Sequence, residues 1–135
     1  MGVILDTSAL VALERQLDRP TLPEQLAESR LWMPAIVWAE ALIGVRLAGG
    51  AVKAAQRRAR LAEIRDLTTI VHFDERIAEH YADIYYECAR KGRLIPQNDM
   101  AVAATARALE SAVLVGSADE AHFRLVKNLE VVVLK

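Results

Sequence analysis

Four acidic residues stand where a carboxylate needs an explanation. Asp6 directly follows the short apolar run GVIL, and Glu40 is the only charged side chain from Leu31 to Val45, within PAIVWAEALIGV. Asp99 lies in IPQNDMAVAATA and Asp119 in SADEAHF. An unpaired buried carboxylate costs several kcal/mol or takes up a proton. Glu40 must therefore face solvent on a helix edge, pair with a base from elsewhere, or meet a metal ion. The other three each have an ordinary structural reading. Asp6 is a preferred helix N-cap, and Asp99 and Asp119 sit where helices begin and the macrodipole favours a negative charge. Brought together, the four would repel one another and persist as anions mainly beside a divalent cation. Oxygen donors, with the hydroxyls of Thr7, Ser8 and Ser117 nearby, suit Mg²⁺ or Mn²⁺ better than Zn²⁺. His72, His80 and His122 are scattered, no His/Cys cluster has zinc spacing, and Cys88 is expected to pack in the core.

The elements that must position these acids alternate along the chain. GVIL is too short for a helix and reads as a strand; Asp6-Thr7-Ser8 then introduce a helix over ALVALER. Thr21-Leu22-Pro23-Glu24 reads as a capping box and predicts a second helix to about Ser29. A brief strand follows at Leu31–Met33, and Pro34 opens the helix bearing Glu40, which stops near Gly49-Gly50. Ala51–Leu67 reads as a helix with Val52, Ala55, Ala59, Ala62 and Ile64 inward. Thr69–Phe73 reads as a strand. Asp74 caps a helix with Ile77, Ala78, Tyr81, Ile84, Tyr85 and Cys88 in one stripe, ending at Gly92. Asn98 or Asp99 starts an Ala-rich helix, Ala112–Val115 is a buried-type strand, Asp119 begins a short helical turn, and Val131–Leu134 is the last strand. Strands that are continuous apolar runs between helices predict an α/β fold, a three-layer α/β/α sandwich around a mostly parallel sheet of about five short strands. Ligands of such sheets bind beyond the carboxyl ends of the strands, the rim where Asp6 and Asp119 both belong.

The totals agree. A chain of 135 residues with 53% hydrophobic and 26% charged residues suits one globular domain, residues 1–135. Seventeen Lys and Arg against eighteen Asp and Glu leave a polyanion to be held by local patches. One cysteine excludes an internal disulfide and fits a reducing compartment. No basic, apolar leader and no window of about 18 apolar residues is present, so a cytoplasmic protein without a membrane span is expected.

ILDTSAL, PAIVWAEALIG, IPQNDMAVAATA and SADEAHF, in that order along nearly the whole chain, resemble the successive motifs of PIN-domain ribonucleases, and among these the VapC-type toxins of toxin–antitoxin modules. The resemblance implies a PIN-like domain that hydrolyses RNA phosphodiesters with Mg²⁺ or Mn²⁺. In such chemistry the ion holds a phosphate oxygen, activates a water and stabilises the leaving 3′-oxygen, yielding a 5′-phosphate and a 3′-hydroxyl. It makes Asp6 the first metal ligand, supported by Thr7 or Ser8, and Glu40 the second acid. Asp99 becomes the third, binding metal alongside Asp6, and Asp119 the fourth, where relatives often carry Asn. Ser117 stands in for a hydroxyl that relatives often supply as Thr. Partners implied are an RNA substrate, a cognate small antitoxin protein and a second copy of the chain in a homodimer, with Trp32 and Trp38 as antitoxin contacts or core residues.

RNA approaching an acidic rim needs cations. Two clusters qualify: Lys53, Arg57, Arg58 and Arg60 on one helix, which read more readily as an ordinary solvated face, and Arg90, Lys91 and Arg93 just before the Asp99 loop, which are better placed and are the candidate RNA-binding residues. A haloacid-dehalogenase-type phosphotransferase would need Asp at position 8, where Ser stands. No P-loop or Gly-rich dinucleotide turn is present. The alternative reading is a PIN-like fold serving RNA processing, or a non-catalytic binding module whose acids only cap helices.

Overall fold

A computed structural model describes residues 2–16 and 22–134. Strand β1 (Gly2–Leu5) leads into α1 (Thr7–Glu14); after a 3₁₀ turn at Glu24–Leu26 come β2 (Arg30–Pro34), α2 (Ala35–Arg46) and α3 (Ala51–Asp66). Then follow β3 (Thr69–Val71), α4 (Glu75–Arg90), α5 (Gln97–Ala108), β4 (Ala112–Gly116), α6 (Glu120–Arg124) and β5 (Val131–Leu134). The five strands form one sheet in the order β3-β2-β1-β4-β5, and every neighbouring pair is parallel. Ile4 of β1 lies opposite Trp32 on one side and Val113 on the other.

All residues of β1 and β4 are buried. Helix α1 packs on β4 while α5, backed by α4, packs on β1 and β4. Continuous apolar strands are what a parallel sheet covered on both faces requires. After β1 the chain builds outward through β2 and β3, then returns to place β4 on β1's other side. That reversal opens a crevice beyond the carboxyl ends of β1 and β4, the usual ligand position in open α/β sheets.

Two expectations about helices need correction. The helix predicted over residues 21–29 is only the 3₁₀ turn, closed by Leu26 N–H to the Pro23 carbonyl at 2.8 Å; Thr21 lies outside the described residues. Leu26 is buried while Glu24, Ala27 and Glu28 are exposed, so one apolar anchor sustains one turn. In α3 the buried positions are Leu61 and Ile64, whereas Val52 is 72% exposed. The inward face includes half-buried Ala54 and Arg57, so the apolar stripe read from the sequence is rotated. Elsewhere boundaries shift by a residue or two. Asp74 caps α4 through Ile77 N–H at 2.9 Å, and Gly92 ends it with φ 66°, which favours glycine. Cys88 is buried, but Tyr85 of the expected stripe is 44% exposed. Among the described residues no helix is long and apolar enough to cross a membrane.

Candidate active site

At the sheet reversal Glu40, Asp99 and Asp119 line one cavity, and Asp6, fully buried, lies close enough to Asp99 and Asp119 for their charges to act on it. Asp6 leaves β1 with its N–H still bonded to the Leu114 carbonyl at 3.1 Å, so the ladder holds the first acid at the rim. Its side chain caps α1, accepting from Ala9 N–H at 2.8 Å and from the Ser8 hydroxyl at 2.8 Å. Ser8 Oγ in turn accepts Gly116 N–H at 2.8 Å, clipping the start of α1 to the end of β4. That approach depends on glycine. A Cβ at Gly116 would stand 3.0 Å from the Ser8 carbonyl oxygen, against backbone that cannot swing aside.

Glu40 is partly buried on α2, and it does not stand alone: Thr7 Oγ1 donates to its Oε1 at 2.6 Å. Asp99 occupies the first turn of α5, and Asp119 immediately precedes α6. Asp119 makes no side-chain cap, so its carboxylate remains free to face the cluster. Glu40, Pro96, Gln97, Asn98, Asp99, Asp119 and His122 line an open cavity of about 470 Å³. A second cavity of about 340 Å³ adjoins it at Asp119 and includes Thr7, Ser8 and exposed Ser117.

Electrostatics tie the acids into one group. Burial pushes the fully buried Asp6 carboxyl up to about 7, opposed by the Ala9 and Ser8 hydrogen bonds and reinforced by Asp119 and Asp99. Asp99 is also raised, first by burial and then by Asp119 and Glu40, against the lowering hydrogen bond from His122. Among the described residues no Lys or Arg forms an ion pair with any of these four acids. Asp6 and Asp99, each raised in part by neighbouring acids and paired with no Lys or Arg, belong with Glu40 and Asp119 to a donor set suited to a divalent ion.

One participant escaped sequence reasoning. His122 Nδ1 lies 2.7 Å from Asp99 Oδ2 and 3.9 Å from Asp119 Oδ1, so a histidine joins the site. Asp99, Asp119 and His122 together could hold a metal ion. The only local signal was the Asp119-x-x-His122 spacing, which puts both on one side of a helical turn; the meeting with Asp99 is tertiary.

The basic clusters separate. Lys91 and Arg93, with Arg124, Cys88 and Leu125, line a cavity of about 440 Å³, while Arg90 lies over the Tyr86 ring at 5.6 Å. The α3 cluster is not a solvated face throughout. Arg57 pairs with buried Glu14 at 2.8 Å and donates to the Gly44 carbonyl, Arg60 donates to the Glu14 carbonyl, and Arg58 covers Trp38. These contacts fasten α3 to α1 and α2. Trp32 and Trp38 both pack against the core at its edge.

A parallel five-stranded sheet with clustered acids at its switch point defines an α/β protein with a candidate metal centre. The chain matches the PIN domain family over residues 3–128 and belongs to it, as the order of its motifs implied. Ribonuclease VapC5 of Mycobacterium tuberculosis is 30% identical over 131 residues, 96% of this chain and 93% of the relative. Among solved structures, VapBC-5 of Mycobacterium tuberculosis, a member of the VapBC family of toxin–antitoxin systems, superposes with a TM-score of 0.79. It has 27% identity and covers 99% of this chain and 100% of that one. VapBC2 of Rickettsia felis, bound to a DNA fragment from its promoter, has the same fold, with TM-score 0.84, 22% identity and full coverage of both chains.

Proposed function

We propose that this protein is a Mg²⁺- or Mn²⁺-dependent endoribonuclease and the toxin of a toxin–antitoxin pair, acting as one PIN-like domain over residues 1–135. The observation that carries the reading is the gathering of Glu40, Asp99 and Asp119 around one cavity at the sheet reversal, with buried Asp6 coupled to Asp99 and Asp119 by charge and, among the described residues, no Lys or Arg paired with any of the four. The 30% identical relative named as a ribonuclease supports the reaction class, and the VapBC-5 structure supports an antitoxin partner.

Asp6 and Asp99 are the proposed direct metal ligands, with Glu40 and Asp119 completing the acidic set. A divalent ion there would supply Lewis-acid activation of a phosphodiester and of the attacking water. The chain's own contribution is placement. The Ser8 hydroxyl and the Ala9 N–H hold the Asp6 carboxylate in place, and the Thr7 hydroxyl fixes one Glu40 oxygen. Ser117 adds a hydroxyl at the rim.

Lys91 and Arg93, joined by Arg124 and flanked by Arg90, are the proposed RNA-backbone contacts. Helix α6 connects them to the site, since His122 faces the acids and Arg124 the basic cavity two residues further on. Single-stranded loops of a structured RNA are the proposed target. A homodimer in the cytoplasm is the proposed assembly.

Purified protein incubated with defined stem-loop RNAs should cleave them with Mg²⁺ or Mn²⁺ and not with EDTA. Asp99→Asn should abolish cleavage while keeping the circular dichroism of the folded protein. Wild-type cleavage by that variant with unchanged metal dependence would falsify the site.

A further inference from the structure

Resting on the reading of the acid cluster as a divalent-metal site, we propose that His122 is itself a ligand of the ion through Nδ1. The site is then a mixed nitrogen–oxygen one, tuned toward Mn²⁺ over Mg²⁺. Neighbouring ligands of an octahedral ion with bonds of about 2.1 Å stand roughly 3.0 Å apart, and opposite ones roughly 4.2 Å. His122 Nδ1 is 2.7 Å from Asp99 Oδ2 and 3.9 Å from Asp119 Oδ1. All three atoms lie within 4.8 Å of one another. Without an ion the 2.7 Å contact is a hydrogen bond; an ion bound there would take the place of the shared proton, with the three donor groups already within ligand spacing of one another.

Position and chemistry agree with the distances. Asp119 and His122 are one helical turn apart, so both reach the same side of α6. Asp119 is not engaged in capping that helix, which leaves its carboxylate free for an ion. His122 lines the same cavity as Glu40, Asp99 and Asp119. Imidazole suits transition ions, whereas Mg²⁺ strongly prefers oxygen. Replacing one oxygen donor by nitrogen therefore raises affinity for Mn²⁺ relative to Mg²⁺.

The test is Mn²⁺ binding to the full chain, read by electron paramagnetic resonance, with Mg²⁺ affinity measured by competition. The echo-modulation spectrum of bound Mn²⁺ should contain a nitrogen-14 coupling from a directly bound imidazole. In His122→Gln, which keeps a hydrogen-bonding group toward Asp99, that coupling should vanish. Its Mn²⁺ dissociation constant should rise about tenfold or more, as loss of even a supporting residue commonly does, with Mg²⁺ affinity much less affected. A thermal melt in EDTA reports whether the variant folds. Mn²⁺ bound by wild type without nitrogen coupling overturns the ligand role and leaves the metal site standing. Equal weakening of Mn²⁺ and Mg²⁺ in the variant does the same, reducing His122 to a brace for Asp99. Failure of wild type to bind Mn²⁺ overturns both the ligand role and the metal site.

Discussion

Replacing Asp6 by Asn separates the burial of a carboxylate from its use. Asn retains an Oδ1 that can accept Ala9 N–H and the Ser8 hydroxyl, so the cap survives and mainly the charge is lost. In the metal-free folded protein the Asp6 carboxyl stays protonated up to about 7, against an ordinary value of 3.8. Between those limits the unfolded chain releases a proton that the folded chain keeps, so stability falls as pH rises. The contribution is fully present below about pH 4 and lost as pH passes through about 7. Its full extent is about 4 kcal/mol, an upper bound because water entering the open crevice screens the charge. Urea denaturation in EDTA should therefore find Asp6→Asn equal to wild type near pH 4 and more stable by up to that amount at pH 8. Saturating Mn²⁺ should act oppositely, adding about 2.7 kcal/mol to wild type at a hundred times its dissociation constant and little to the variant. A stability difference that does not change with pH, or equal stabilisation of both proteins by Mn²⁺, would refute the reasoning.

Other expectations follow from individual contacts. Thr7→Val removes the hydroxyl that holds Glu40, and should cost about 1 kcal/mol in denaturant unfolding and weaken Mn²⁺ binding measured calorimetrically. Gly116→Val forces a side chain against the Ser8 backbone and should destabilise by about 1–3 kcal/mol; an unchanged melting temperature would show that the start of α1 can yield. Arg57→Met strands the buried Glu14 carboxylate and should cost about 2 kcal/mol, below the range for a fully buried pair because the guanidinium is partly exposed. RNA cleavage by that variant, assayed well below its melting temperature, should stay at the wild-type rate, since α3 only supports the fold. Arg93→Glu should raise KM for RNA and flatten its salt dependence with little change in kcat; an unaltered salt slope would remove Arg93 from the RNA path.

The sequence alone determined the alternation of strands and helices, the parallel sheet implied by GVIL, AVLV and VVVL, and the rim position of Asp6 and Asp119. Each follows from a short stretch, because strand burial and helix capping depend on near neighbours. Four ordered motifs were enough to indicate the PIN family. Tertiary structure decided which polar groups meet. Thr7 reaches Glu40 across 33 positions, Arg57 reaches Glu14 across 43, and His122 reaches Asp99 across 23. Hydrophobic periodicity marks which side of a helix is apolar on average, and it carries no information about a distant polar partner. The true inward face of α3 and the meeting of His122 with Asp99 are for that reason not legible in the sequence. The strand order β3-β2-β1-β4-β5 brings these segments together at one crevice.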